Sequence, residues 1–96
     1  MQEVTIVIPN YNGKRLLENC LKTLEQQTYK DFKVLVVDNG SSDGSTEVSS
    51  EKLELEIVSL KENLGFCRAV NLGIQKTKTP YLILLNNDTE TDRYFV

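Results

Sequence analysis

Four apolar runs are spaced along the chain, and each ends in a cluster of Asn, Asp, Gly or Ser. Val4-Thr5-Ile6-Val7-Ile8 leads into Pro9-Asn10-Tyr11-Asn12, and Lys33-Val34-Leu35-Val36-Val37 into Asp38-Asn39-Gly40-Ser41-Ser42-Asp43. Glu56-Ile57-Val58-Ser59-Leu60 leads into Lys61-Glu62-Asn63-Leu64-Gly65, and Tyr81-Leu82-Ile83-Leu84-Leu85 into Asn86-Asn87-Asp88. Near-continuous Val, Leu and Ile suits strands buried on both faces. Over residues 13–27, Leu16, Leu17, Cys20, Leu21 and Leu24 recur at helical spacing with Lys14, Arg15, Glu18, Lys22 and Glu25 outward. That pattern predicts a helix, with Asn12 as its N-cap. Residues 44–52 predict a short helix in which only Val48, with Leu53 just beyond it, is clearly apolar. Phe66, Ala69, Val70, Gly73 and Ile74 give a third helical stripe, stopped ahead of Pro80 because proline disfavours helix in the residue before it.

The order strand, helix, strand, helix, strand, helix, strand predicts an α/β fold: a parallel, Rossmann-like βαβαβαβ sheet with flanking helices. If the four strands are parallel neighbours, all four polar clusters share the carboxyl edge, where open α/β sheets bind ligands. Tyr94-Phe95-Val96 reads as the start of a further element.

Composition narrows the chemistry. The 96 residues suffice for one small domain. A net charge of −3 argues against a surface built to grip nucleic acid. No apolar stretch approaches the roughly 20 residues of a membrane span, no signal peptide is expected, and a cytoplasmic setting is the default expectation. The two cysteines, Cys20 and Cys67, lack metal-ligand spacing, and a free, buried Cys20 fits its helical face better than a disulfide does. Histidine is absent. A bound metal must therefore be held by oxygen, which favours magnesium, manganese or calcium.

Each polar cluster has a chemical reading and a plain one. Asp38 can accept hydrogen bonds from a base or ribose, and the Asn-Gly-Ser-Ser after it can turn backbone N–H groups toward a ligand; the plain reading is turn chemistry, with Asp43 capping the next helix. Asp88 can ligate a cation that bridges two phosphates, or simply sit in a solvated acidic turn. Arg68, with Asn63, Gly65 and Asn71, suits a phosphate or a base oxygen, or a surface ion pair. Gly65 meets a backbone need, a positive φ or a close approach. Tyr11 offers a stacking face for a base, or covers the core. Their shared placement after successive strands, rather than any one of them, favours a site. A phospho-receiver-like domain would want an acidic pair after the first strand, and Pro9-Asn10-Tyr11-Asn12 offers none.

Taken together, the ordered blocks resemble the amino-terminal half of the family 2 glycosyltransferases, which have the GT-A fold. The blocks are Val7 to Asn12, Leu17 to Tyr29, Val36 to Ser45, Glu62 to Phe66 with Ala69, Asn71 and Gly73, and Leu84 to Asp88. The resemblance implies a nucleotide-sugar-binding domain over residues 1–96. It implies metal-assisted, inverting transfer of a hexosyl or deoxyhexosyl group from a nucleotide-diphosphate sugar to a hydroxyl of a saccharide or lipid-linked acceptor. It places Pro9 and Tyr11 under the base, Asp38 on the base, Asp43 beside the ribose or bracing the loop, and Arg68 near the nucleotide. Asn86-Asn87-Asp88 takes the place of the family's Asp-x-Asp motif, with Asn86 on the nucleotide and Asp88 on a divalent magnesium or manganese ion. The Asn-Asn-Asp form resembles the subgroup that includes many rhamnosyltransferases. The general base of these enzymes is expected beyond Val96, so no catalytic residue is assigned here. The chain then reads as the donor-binding half of a longer enzyme, inactive alone. Its setting would be cell-wall or polysaccharide synthesis at the cytoplasmic face of the membrane, with homo-oligomer contacts through an exposed sheet edge. The alternative is a non-catalytic module using the same crevice.

Overall fold

In the computed structural model, which describes residues 3–92 and 95, the four apolar runs form strands. These are β1 (Val4–Asn10), β2 (Phe32–Asp38), β3 (Glu54–Ser59) and β4 (Tyr81–Leu84). Among the described residues they make one sheet in the order β3-β2-β1-β4. Every pairing is parallel, with Val4 opposite both Phe32 and Tyr81, Asn10 opposite Asp38, and Asp38 opposite Ser59. Parallelism puts all four strand ends on one edge, as the sequence predicts.

The two central strands carry the continuous apolar runs because both of their faces are covered. Side chains alternate across a strand. Ile6, Ile8, Val34 and Val36 therefore pack on one face against Leu17, Cys20, Leu21 and Leu24 of α1 (Lys14–Glu25). Val7, Leu35 and Val37 pack on the other against Ala69 of α2 (Phe66–Lys76). A fully buried leucine contributes roughly 1.5–3 kcal/mol, so Leu17 and Leu24, which are wholly enclosed, do most to hold α1 down. The edge strands β3 and β4 are only half-covered. Tyr81 and Leu84 stand exposed on β4.

The structure corrects several local expectations. Leu16 turns outward, and α1 meets the sheet through Leu17, Cys20, Leu21 and Leu24 alone. Phe66 and Ile74 are also exposed, while Leu72 packs inward beside Ala69. The helix expected over residues 44–52 is a single 3-10 turn at Ser45–Glu47. Its serine-rich sequence has no apolar stripe to bury, and Val48 and Leu53 reach the α1-side core from irregular backbone. Asn12 does not cap α1: Gly13 is the N-cap residue, and Asn12 has a positive φ of 48°. Cys20 and Cys67 are both free, the first buried and the second exposed. Of the Tyr94-Phe95-Val96 segment, Tyr94 and Val96 lie outside the described residues.

Candidate functional site

The carboxyl edge carries a cleft of about 310 Å³. Pro9, Asn10 and Tyr11 enter it from the end of β1, Asn39 from β2, Asn63 and Phe66 from the loop and first turn of α2, and Asn86, Asn87 and Asp88 from the end of β4. Loops from all four strands thus converge on one space.

Most of the polar side chains there bind the loops to one another. Three rungs join the β1–α1 loop to the loop after β2. In the first, Asn10 Nδ2 donates to Asp38 Oδ1 at 3.0 Å. In the second, the Asn12 N–H donates to Ser41 Oγ at 2.8 Å and Asn12 Oδ1 accepts from the Ser42 N–H at 2.8 Å. In the third, the Lys14 N–H donates to Asp43 Oδ2 at 3.0 Å. Asn39 ties the same loop to the next one, accepting from the Leu64 N–H at 2.8 Å and donating to the Gly65 carbonyl at 3.2 Å. Asn87 Nδ2 donates to Asn10 Oδ1 at 2.7 Å, joining β4's loop to β1's. Among the described residues no buried side-chain N or O is left without a partner.

Two glycines permit this close meeting. Gly40 has a φ of +83°, and a Cβ there would lie 2.6 Å from the Glu62 carbonyl carbon. Gly65 has φ 92° and ψ 156°, a region essentially reserved for glycine, and so meets the backbone need expected of it.

The site residues expected from sequence separate into two groups. Pro9, Tyr11, Asn86 and Asp88 line the cleft. Tyr11 is exposed there, ready to offer its ring. Asp38, Asp43 and Arg68 are not on its wall. Asp38 is completely enclosed, with Oδ1 accepting from Asn10 and from Ser41 Oγ at 2.7 Å, and Oδ2 from the Ser41 N–H at 2.9 Å. Asp43 does not cap a following helix; it accepts from Lys14 at the start of α1, where a negative charge is favoured. It also accepts from the Ser45 N–H and hydroxyl. The Ser45 hydroxyl, and then the Lys14 N–H, hold the Asp43 carboxyl below the usual carboxylate range. Arg68 is exposed on the first turn of α2, with no ion pair among the described residues.

Asn10, Asn39, Asn63, Phe66 and Asn87 also line the cleft. The signal for the asparagines was their place in the polar clusters that end the apolar runs, where the sequence also groups Asn63 with Arg68. Phe66 carried a misleading signal, since the helical period assigned it to the core. With Tyr11 it gives the cleft two exposed aromatic rings.

Asp88 is the one charged side chain among the described residues that line the cleft. Its carboxylate stands in solvent, with the Asn86 amide on the same cleft. Among the described residues no group of three His, Cys, Asp or Glu could enclose a metal ion. The donor set still fits magnesium or manganese, which take one or two carboxylates and complete their shell with substrate phosphates. An anionic diphosphate in this cleft would face Asp88, and a shared cation is what turns that repulsion into attraction.

The sequence profile of the family described as "Glycosyl transferase family 2" matches residues 5–96. The chain is 30% identical, over its whole length, to the teichoic acid poly(glycerol phosphate) polymerase of Staphylococcus epidermidis, of which it spans 14%. Its fold matches S. aureus TarS 1-349 in complex with UDP with a TM-score of 0.88 at 23% identity, covering 98% of this chain and 29% of that one. It also matches the mannosyltransferase PcManGT from Pyrobaculum calidifontis, solved in complex with GDP-Man and Mn2+, with a TM-score of 0.82 at 26% identity, covering 90% of this chain and 27% of that one. The chain therefore spans less than a third of each of these proteins.

Proposed function

This chain belongs to glycosyl transferase family 2, and from that premise we propose that it is the nucleotide-sugar-binding part of a metal-assisted, inverting glycosyltransferase. The observation that carries the reading is the convergence of Pro9, Tyr11, Asn86 and Asp88 on one cleft at the carboxyl edge. The complexes of similar folds with UDP, and with GDP-Man and Mn2+, support the same ligand class.

In this reading the base lies against Tyr11 with Pro9 beneath it, and Phe66 adds a second apolar surface. Asp38 acts from below: it fixes Asn10 and Ser41, which shape the floor under the base edge. Asp43 braces the loop on the ribose side. Arg68 supplies positive charge from the exposed first turn of α2. Asn86 accepts from a ribose hydroxyl, and Asp88, with the diphosphate, holds a divalent magnesium or manganese ion. That ion would withdraw negative charge from the departing diphosphate. An acceptor hydroxyl attacks the anomeric carbon from the face opposite the diphosphate, so the configuration inverts. No residue here is assigned to take its proton; the family pattern puts that carboxylate in the acceptor-side half.

The sugar proposed is a hexosyl or deoxyhexosyl group and the acceptor a saccharide or lipid-linked glycan. The teichoic acid polymerase among its relatives favours a cell-envelope polymer. Among the described residues no helix is long and apolar enough to cross a membrane, and the proposed place of work is the cytoplasmic face.

Calorimetric titration of the chain with UDP and GDP, with and without manganese, tests the reading. Binding that strengthens with manganese is expected. No binding of either nucleotide, with or without metal, would overturn it.

A further inference from the structure

The segment that carries Asp88 is held at both ends, and its far anchor involves residues that none of the cleft chemistry uses. After Leu85, whose N–H continues the ladder to the Val7 carbonyl at 2.9 Å, the chain turns at residues 86–89, with the Thr89 N–H donating to the Asn86 carbonyl at 3.2 Å. Asn87 is tied to Asn10 at 2.7 Å. Thr91 is then tied to the last turn of α1, where its N–H and its hydroxyl both donate to Thr23 Oγ1 at 2.9 Å. Gln27, just past α1 and only 1% exposed, donates through Nε2 to Thr91 Oγ1 at 3.1 Å and to the Asp92 carbonyl.

The donor and acceptor count fixes the direction of every bond. The single Thr23 hydroxyl proton goes to the Cys20 carbonyl at 2.8 Å, which leaves the oxygen's two lone pairs for the Thr91 N–H and O–H. The Thr91 oxygen then accepts from the Gln27 amide, which also donates to the Asp92 carbonyl. Only residues 88–90 remain between the Asn87 and Thr91 anchors, and a span so short has little conformational freedom left to lose when a ligand arrives.

We infer that Thr23 and Gln27 are positioning residues for Asp88: from the end of α1 they fix the loop that presents its carboxylate to a divalent cation and diphosphate. This rests on the nucleotide-sugar reading of the cleft. Asn87 alone would leave the loop free to swing about one anchor. The second anchor makes α1, already pinned to the sheet by Leu17 and Leu24, the reference against which Asp88 is placed.

The test uses Thr23→Val, Thr23→Ser and Gln27→Glu in the whole chain. Thr23→Val deletes both lone pairs, Thr23→Ser keeps them, and Gln27→Glu replaces the amide donor with a carboxylate oxygen that faces the Asp92 carbonyl. Two quantities are measured: the Thr91 amide exchange rate by NMR, and the manganese concentration that half-saturates tight UDP binding by calorimetry. Thr23→Val and Gln27→Glu should speed Thr91 exchange and raise the half-saturating manganese concentration about tenfold, the usual size of an outer-shell effect. Their metal-free UDP affinity should stay at the wild-type value, and Thr23→Ser should match wild type throughout. If Thr23→Val does not fold, Gln27→Glu and Thr91→Ala carry the same comparison. Unchanged manganese dependence in the folded variants, or equal loss of metal-free and metal-dependent binding, would overturn the inference alone. Nucleotide binding by the wild type that does not depend on manganese would overturn this inference and leave the cleft reading standing, whereas no binding of UDP or GDP under either condition would overturn both.

Discussion

The Asn10 side-chain amide donates to the Asp38 carboxylate at 3.0 Å, with both side chains buried at the centre of the sheet's carboxyl edge. They sit directly opposite each other on the two central strands. Asn10 also accepts from Asn87, and Asp38 from Ser41, so this pair links the loops after β1, β2 and β4.

Removing the carboxylate should therefore cost stability as well as ligand. In Asp38→Ala the Asn10 amide and the Ser41 N–H lose their buried acceptor, at about 1–3 kcal/mol for each group left unpaired. Denaturant unfolding should show that loss. Calorimetry on the fraction that remains folded should show weaker nucleotide binding whether or not manganese is present. Asp38→Asn should fall between, because one amide oxygen replaces two acceptors. Wild-type stability in Asp38→Ala would contradict the hydrogen-bond count.

The contrast between what the sequence discloses and what it hides follows from range. Strand, helix and edge were legible because burial on two faces writes Val, Leu and Ile in local runs, and parallel order then fixes where the runs end. The assignment of each polar side chain was not legible. Asn10 meets Asp38 and Asn87 across separations of 28 and 77 residues, and no local pattern records such pairs. Asp38 looked like a ligand group because no turn requires a carboxylate there; the requirement comes from Asn10 and Ser41. Phe66 looked like core because it falls on the stripe of Ala69 and Gly73, yet the first turn of α2 overhangs the strand ends and leaves the ring on the cleft wall.

Gly40→Ala should disturb the cleft from outside it. The new methyl group would lie 2.6 Å from the Glu62 carbonyl carbon and 2.9 Å from the Asn63 nitrogen, both backbone atoms, at a φ of +83°. The left-handed conformation alone costs about 1–2 kcal/mol, and the contact requires the loop bearing Asn63 to move. Thermal unfolding should shift down by at least that amount, and UDP affinity should drop with it. A variant as stable as wild type would show that the loop yields freely.

Cys20 gives the protein an alkaline limit. Burial, with a smaller contribution from the charge of Asp88, pushes its thiol from 9.0 up to about 11. A pKa raised by folding means that the folded state holds the proton more tightly. The resulting stability is complete below pH 9 and is lost as pH rises through about 11. The difference in unfolding midpoint between wild type and Cys20→Ala should therefore shrink across that window. Alkylation of the native protein should modify the exposed Cys67 first and Cys20 only on unfolding. Equal labelling rates would contradict the burial.

Asp88→Ala separates the metal from the nucleotide. Asp88 is exposed and, among the described residues, makes no hydrogen bond or ion pair that holds the loops together, whereas Asn87 beside it is tied to Asn10. The fold and the thermal midpoint should consequently stay near wild type. Metal-free UDP binding should hold or strengthen slightly, since the substitution removes the negative charge nearest the diphosphate. The manganese-dependent gain should vanish, a loss of about tenfold or more in affinity, equivalent to about 1.4 kcal/mol. Calorimetric titrations of UDP at zero and saturating manganese, on wild type and variant, give the four affinities needed. The decisive quantity is the ratio of the two ratios, because any general weakening of the cleft cancels from it. A variant that keeps the wild-type manganese gain would move the cation away from Asp88, to the diphosphate and the amide oxygens that line the cleft.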